Sequence, residues 1–309
     1  MYTGWLAHAR TFLRKHRIFS VYLTSRLVFE DKVLADSRQA HYMSNSTNSP
    51  WTRRESIMPK PIRVLALHAH PDDVEFQCAG TLTLLRHAGV AVTIATMTPG
   101  DCGSAEYDAE SISAIRREEA RKAAELIGAD YVCLEFRDLA IFNDDESRRR
   151  ITEAVRRVAP ALILTAPPAD YIADHEMTSL LVRDACFAAP CPNYQTRQWE
   201  PAPALETIPH LYYVDPLEGV DRDGRPVPVD FHVDISPVFA TKREMLACHA
   251  SQRNWLMRQH GIDEYLDIQA KWGARRGAEI GVPYAEAFRQ YKGHPYPQDN
   301  LLLELLRHD

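Results

Sequence analysis

Between Ile62 and Ala189 the chain alternates four times between a short aliphatic run and a segment with apolar residues at helical spacing. The runs are IRVLAL (62–67), VAVTIATMT (90–98), DYVCLEF (130–136) and ALILTAP (161–167). The segments between and after them are EFQCAGTLTLLRHAG (75–89), ESISAIRREEARKAAELIGA (110–129), DESRRRITEAVRRVAP (145–160) and DHEMTSLLVRDACFAA (174–189). Gly89 and Gly128 close the first two helices and Pro160 ends the third. Strands that return through helices pair in parallel, so the reading is an α/β fold with helices on both faces of a parallel sheet. After Pro190 the pattern changes to two short strands, HLYYVDP (210–216) and PVDFHVDIS (228–236), and two helices, 237–259 and 262–281, a short C-terminal β/α extension.

The first strand runs directly into HAHPDDVE (68–75), which holds five ionisable groups in eight residues. Open α/β sheets bind ligands at the carboxyl ends of their strands. His70 and Asp73, three apart around Pro71, can converge on one divalent cation. A catalytic zinc needs about three protein ligands and an open position. The third ligand is expected from PPADYIADHE, after the fourth strand, which offers Asp170, Asp174 and His175. A ligand set of His70, Asp73 and His175 leaves Asp72 as a carboxylate beside the metal, placed to take a proton from the attacking water. His68 lies on the same face of the extended chain as His70 and is the alternative ligand, or else packs beneath the site. Glu75 reads as a first-turn carboxylate favoured by the helix dipole. No G-x-G-x-x-G follows the first strand, which excludes the usual dinucleotide site.

The net charge of −6 gives no reason to expect nucleic acid as a partner. Residues 1–60 carry ten Lys/Arg against four Asp/Glu, so they hold +6 and the remainder −12. With the polar stretch SNSTNSPWTRRES, residues 1–57 read as an N-terminal appendage to a domain spanning 58–309. No apolar run approaches the roughly 18 residues of a membrane span. The six cysteines form no C-x-x-C pair, as expected of a reduced, cytoplasmic chain.

HAHPDDVEFQCAGTL resembles the signature of the PIG-L/LmbE-like de-N-acetylase family. MTPGDCGS, IRREEARKAAELIGA, DYIADHE, KREMLACHASQ and YAEAFR resemble its later motifs in the same order, over about residues 61–290. The resemblance implies a Rossmann-like fold with one zinc per chain and hydrolysis of an acetamide on an amino sugar or conjugate, a small-molecule N-acetylated substrate. It places the zinc on His70, Asp73 and His175, makes Asp72 the general base, and sets Arg116 and Asp138 where family members hold sugar hydroxyls. One position departs. The second motif commonly reads H-P-D-H, whereas here it is Ile172, Ala173, Asp174, His175. The histidine that would polarise the scissile carbonyl is an isoleucine. Replacement donors are Tyr171, or His294 from the tail YKGHPYPQDN, folded back or supplied by a neighbouring subunit of a homo-oligomer.

Overall fold

A computed structural model describes residues 61–260 and 264–307. The expected appendage, residues 1–57, lies outside the described residues. In chain order the elements are β1 (Arg63–His68), α1 (Asp73–Gln77), α2 (Ala79–His87), β2 (Ala91–Thr96), α3 (Ala109–Glu125), β3 (Asp130–Cys133), α4 (Asp145–Val158), β4 (Leu162–Thr165) and α5 (Ala173–Ala188). They continue as β5 (His210–Val214), β6 (Phe231–Asp234), α6 (Phe239–Ala247), α7 (Ala250–His260), α8 (Tyr265–Ile280), β7 (Ala285–Gln290) and α9 (Leu301–Leu306).

The strands form one sheet in the order β3-β2-β1-β4-β5-β7-β6. β1 to β5 pair in parallel, as the alternation requires, while β7 runs antiparallel to both β5 and β6. The C-terminal extension therefore widens the same sheet. Period-two geometry divides the core into two apolar layers. Val64, Ala66, Ile94, Leu164 and Tyr212 face one; Leu65, Leu67, Ala95, Ile163 and Leu211 face the other. Asp108 and Asp144 cap α3 and α4 through the backbone N–H groups of Ser111 and Ser147. Among the described residues no helix is long and apolar enough to cross a membrane.

Two segments differ from their sequence reading, and a third had no assigned element. The helix expected over 75–89 is two helices, α1 and α2, broken at Cys78. The buried carboxylate of Glu286 on β7 accepts from Gly80 N at 2.9 Å and Thr81 N at 2.7 Å, capping a new helix start inside the expected one. Lys242 balances that charge at 2.5 Å. The helix expected over 237–259 breaks likewise at Cys248 and His249, between α6 and α7. YAEAFR forms β7, a strand whose register is set by its pairing with β5 and β6 rather than by its own composition.

Candidate metal centre

The site gathers at the carboxyl ends of β1 and β4, the adjacent central strands. Asp72 closes the turn after β1 with φ 96°, a left-handed conformation costly for a residue with a Cβ. That turn aims Asp72 and Asp73 in different directions. Asp73 is the hub. Its Oδ2 accepts from His70 N at 2.8 Å and lies 3.4 Å from His70 Nδ1, 3.3 Å from His175 Nε2 and 2.7 Å from His68 Nδ1.

Two groupings follow from these distances. Ligand-type atoms of His68, Asp73 and His175 all lie within 4.8 Å of one another. His70, Asp73 and His175, by contrast, all line one open cavity of about 410 Å³, and His68 does not. Donors held about 2.0–2.2 Å from a tetrahedral zinc stand about 3.3–3.6 Å from each other. The His70 and His175 spacings match that; 2.7 Å is a hydrogen bond. His68 is wholly buried, its Nδ1 also accepts from Ala69 N at 2.9 Å, and burial pulls its pKa down despite the Asp73 charge.

Both lining histidines are oriented from behind. Asp170, itself 2% exposed, takes His175 Nδ1 at 2.9 Å and leaves Nε2 buried without a hydrogen-bond partner. Asp170 was one of the carboxylates the second motif offered as a ligand; here it is the partner that fixes the imidazole's tautomer. Asp174 takes His70 Nε2 at 3.1 Å and also accepts from Leu139 N at 2.7 Å. Burial alone lowers both histidines, but Asp174 and Asp73 outweigh it at His70, which rises to about 9, and Asp73 and Asp170 do so at His175, which rises to about 10. Protons and a cation thus compete for the same nitrogens. An orphaned imidazole nitrogen, a second nitrogen at matching distance and a carboxylate between them fit a borderline divalent ion such as zinc.

Asp72 stands apart from this cluster. Its Oδ2 accepts a hydrogen bond from the buried hydroxyl of Tyr265, and Arg116 Nη2 lies 3.7 Å from its Oδ1. Burial pushes its pKa up even against the Arg116 charge. Arg116 is 3% exposed and also donates to Pro71 O at 2.9 Å. The glycines of TPGDCGS serve it: a Cβ at Gly100, whose φ is +77°, would meet the guanidinium at 2.6 Å, and one at Gly103 would collide with its Nη1. Glu119, the residue that would pair with Arg116 along an ordinary helix face, instead accepts from Ser251 N at 2.9 Å. Asp138 accepts from Cys102 N at 2.9 Å and keeps Oδ1 buried without a hydrogen-bond partner, 4.0 Å from His70 Nε2. Tyr171 is 64% exposed and packs edge-on to His175, with ring centroids 5.3 Å apart. Arg116, Asp138, Tyr171 and Ile172 all line the cavity.

His294 does not belong to this site within its own chain. It is exposed and follows β7, which leaves the sheet beside Leu211, at the amino-terminal end of β5. The metal cluster sits at the opposite edge. The sequence reading also missed residues that matter. Tyr265 holds Asp72. His249, fully buried, lies 3.4 Å from Glu75, which is itself buried rather than a solvated first-turn carboxylate. KREMLACHASQ was a visible motif, but nothing in it says that His249 folds beneath Asp72 and Arg116.

Residues 65–186 match the family model described as PIG-L: GlcNAc-PI de-N-acetylase. Residues 65–186 therefore carry a PIG-L family domain. A 4-oxalmesaconate hydratase of Pseudomonas putida is 24% identical over 245 residues, 76% of this chain and 90% of that protein. A probable N-acetyl-alpha-D-glucosaminyl L-malate deacetylase 2 of Bacillus anthracis is 30% identical over 136 residues, 41% of this chain and 60% of that relative. The solved N,N'-diacetylchitobiose deacetylase of Pyrococcus horikoshii superposes with TM-score 0.63 at 23% identity, covering 78% of this chain and 89% of that one. The PIG-L match ends in α5, so it contains the HPDD turn and the Asp170–His175 loop; Tyr265 and the α7 wall of the cavity lie outside it.

Proposed function

We propose that the protein is a zinc-dependent hydrolase that removes an acyl group from the amide nitrogen of an N-acetylglucosamine-type sugar or conjugate, with residues 58–309 as its catalytic domain. The observation that supports this best is the pairing of His70 Nδ1 and His175 Nε2 at 3.4 and 3.3 Å around Asp73 Oδ2, with Asp72 unliganded beside them in the same cavity. A structural zinc gains nothing from such a neighbouring carboxylate.

His70, Asp73 and His175 would hold the ion. When bound it supplies Lewis acidity, which lowers the pKa of a water and polarises a carbonyl. Asp72 takes the proton of the attacking water and later delivers it to the departing amine. Tyr265 and Arg116 keep its carboxylate aimed at the cavity, and the left-handed turn holds it off the ion. Asp138 Oδ1, buried and without a hydrogen-bond partner, accepts a substrate hydroxyl. Ile172 supplies no donor to the carbonyl oxygen, so the adjacent Tyr171 hydroxyl takes that role. A donor of this kind contributes about 10²–10³ in rate.

The test is acetate release from N-acetylglucosamine compounds, measured with metal content on the same sample. Acetate produced in proportion to bound zinc supports the reading; zinc bound with no acetate released overturns it. A hydratase reading is favoured by the Pseudomonas putida relative, which covers most of both chains. Against it, Arg116, the arginine that lines the cavity, is already engaged with Asp72 and Pro71 O. Loss of absorbance from a conjugated oxo-acid, with no acetate released from amides, would establish the alternative.

A further inference from the structure

The cavity has two unlike sides. Carboxylates, imidazoles and Arg116 occupy its floor, whereas Phe76, Leu139, Leu217, Trp255, Leu256 and Ile268 form its wall. Leu139 is 68% exposed, Tyr171 64% and Ile268 37%, large apolar side chains open to water among the described residues. Scattered apolar residues on a surface need no explanation, but a contiguous set in a concave site does. At about 410 Å³ the cavity has the size of sites that take drug-sized ligands, roughly 300–1,000 Å³.

The wall is tied to the chemistry by helix geometry. Residues three apart on a helix share a face. Ile268 follows Tyr265 by three on α8, and Phe76 follows Asp73 by three on α1. The Phe76 and Tyr265 rings are 6.4 Å apart. The same two helices that place the ligand Asp73 and the anchor of Asp72 therefore aim apolar side chains into the cavity. Ile172 continues that character to the first turn of α5, next to His175, where the family pattern would put an imidazole.

On the amide-hydrolase reading, we propose that the substrate carries an apolar substituent, an acyl chain longer than acetyl or a hydrophobic group on the sugar, and that the Phe76–Trp255–Leu256–Ile268 wall binds it. A plain acetamido sugar leaves this wall wet. A protein partner is less suited, because the patch lies inside the concave site and faces the reacting groups.

The experiment compares kcat/KM of the zinc-loaded full chain in two substrate series. One lengthens the acyl group of an N-acylglucosamine from acetyl to hexanoyl; the other enlarges the aglycone of an N-acetylglucosaminide from hydroxyl to aryl or alkyl. The expected result is a rise in one series of about fourfold per buried methylene. Trp255→Ala and Leu256→Ala should lower the ratio of extended to parent substrate by about tenfold or more, with zinc content unchanged. If either variant fails to fold, Ile268→Ala, at an already exposed position, carries the same ratio test. An active parent substrate with both series flat, or ratios unmoved by all three variants, overturns the inference alone. No hydrolysis of any amide in either series overturns the amide-hydrolase reading and the inference with it.

Discussion

The floor and the wall of the cavity are built on opposite principles. On the floor the reacting groups are braced: Asp170 behind His175, Asp174 behind His70, His68 behind Asp73, Tyr265 and Arg116 behind Asp72. The wall has little behind it that dictates its chemistry. Its side chains are exposed or half-buried, and most come from α7, α8 and loops outside the PIG-L match. A floor of this kind tolerates few changes, because an unpaired buried charge is expensive. A wall of this kind can be exchanged without disturbing the ion. On the proposed reading, reaction type and substrate choice are carried by separable parts of one cavity.

The strongest way to break that division is to remove a floor ligand. His175→Ala and His70→Ala should each weaken metal binding by more than the about 10–100-fold typical of losing an outer partner, and abolish turnover with every substrate. Metal content after dialysis, with rates at saturating zinc, decides this. Next is Asp72→Asn, which should keep zinc and lose about 10²–10⁴ in kcat. Loss of zinc in that variant would make Asp72 a ligand, and an unchanged rate would remove it from the chemistry.

Smaller effects sharpen the outline of the floor. Asp170→Asn and His68→Ala should each lower zinc affinity by about 10–100-fold, as expected of groups acting through a ligand. If His68→Ala matches His175→Ala in severity while His70→Ala does not, the ligand set is His68, Asp73 and His175. The smallest effect belongs to the sheet's far edge. His294→Ala should change stability by no more than about 0.5 kcal/mol and leave kcat/KM unaltered, as an exposed residue remote from the ion would. A rate loss with zinc retained would show that a neighbouring subunit brings His294 to this site.

Much of the frame was legible in the residues because its signals are local. Four strand–helix alternations define a parallel sheet, and HPDD after the first strand places its groups at the carboxyl edge. The helix breaks were not legible, because no residue between 75 and 89 says that Glu286, about two hundred positions later, will cap Gly80 and Thr81. The distinction between His68 and His70 was open for a similar reason. Both lie on one face of an extended chain, and only the fold of α5 decides which imidazole faces the cavity. That His294 would not fold back to this site within its own chain was not legible, because the direction of β7 is set by its pairing with β5, not by its own sequence.

The sequence by itself determined the parallel part of the sheet, the edge at which ionisable groups collect, and the histidines and carboxylates gathered there, since periodicity and residue chemistry act over a few positions. The tertiary structure alone decided that Asp170 would turn His175 Nε2 toward Asp73, that Tyr265 would hold Asp72, and that an apolar wall would face the carboxylates. Each of those outcomes joins groups from distant parts of the chain. Their meeting depends on how the helices pack against the sheet, a property of the whole fold that no local pattern records.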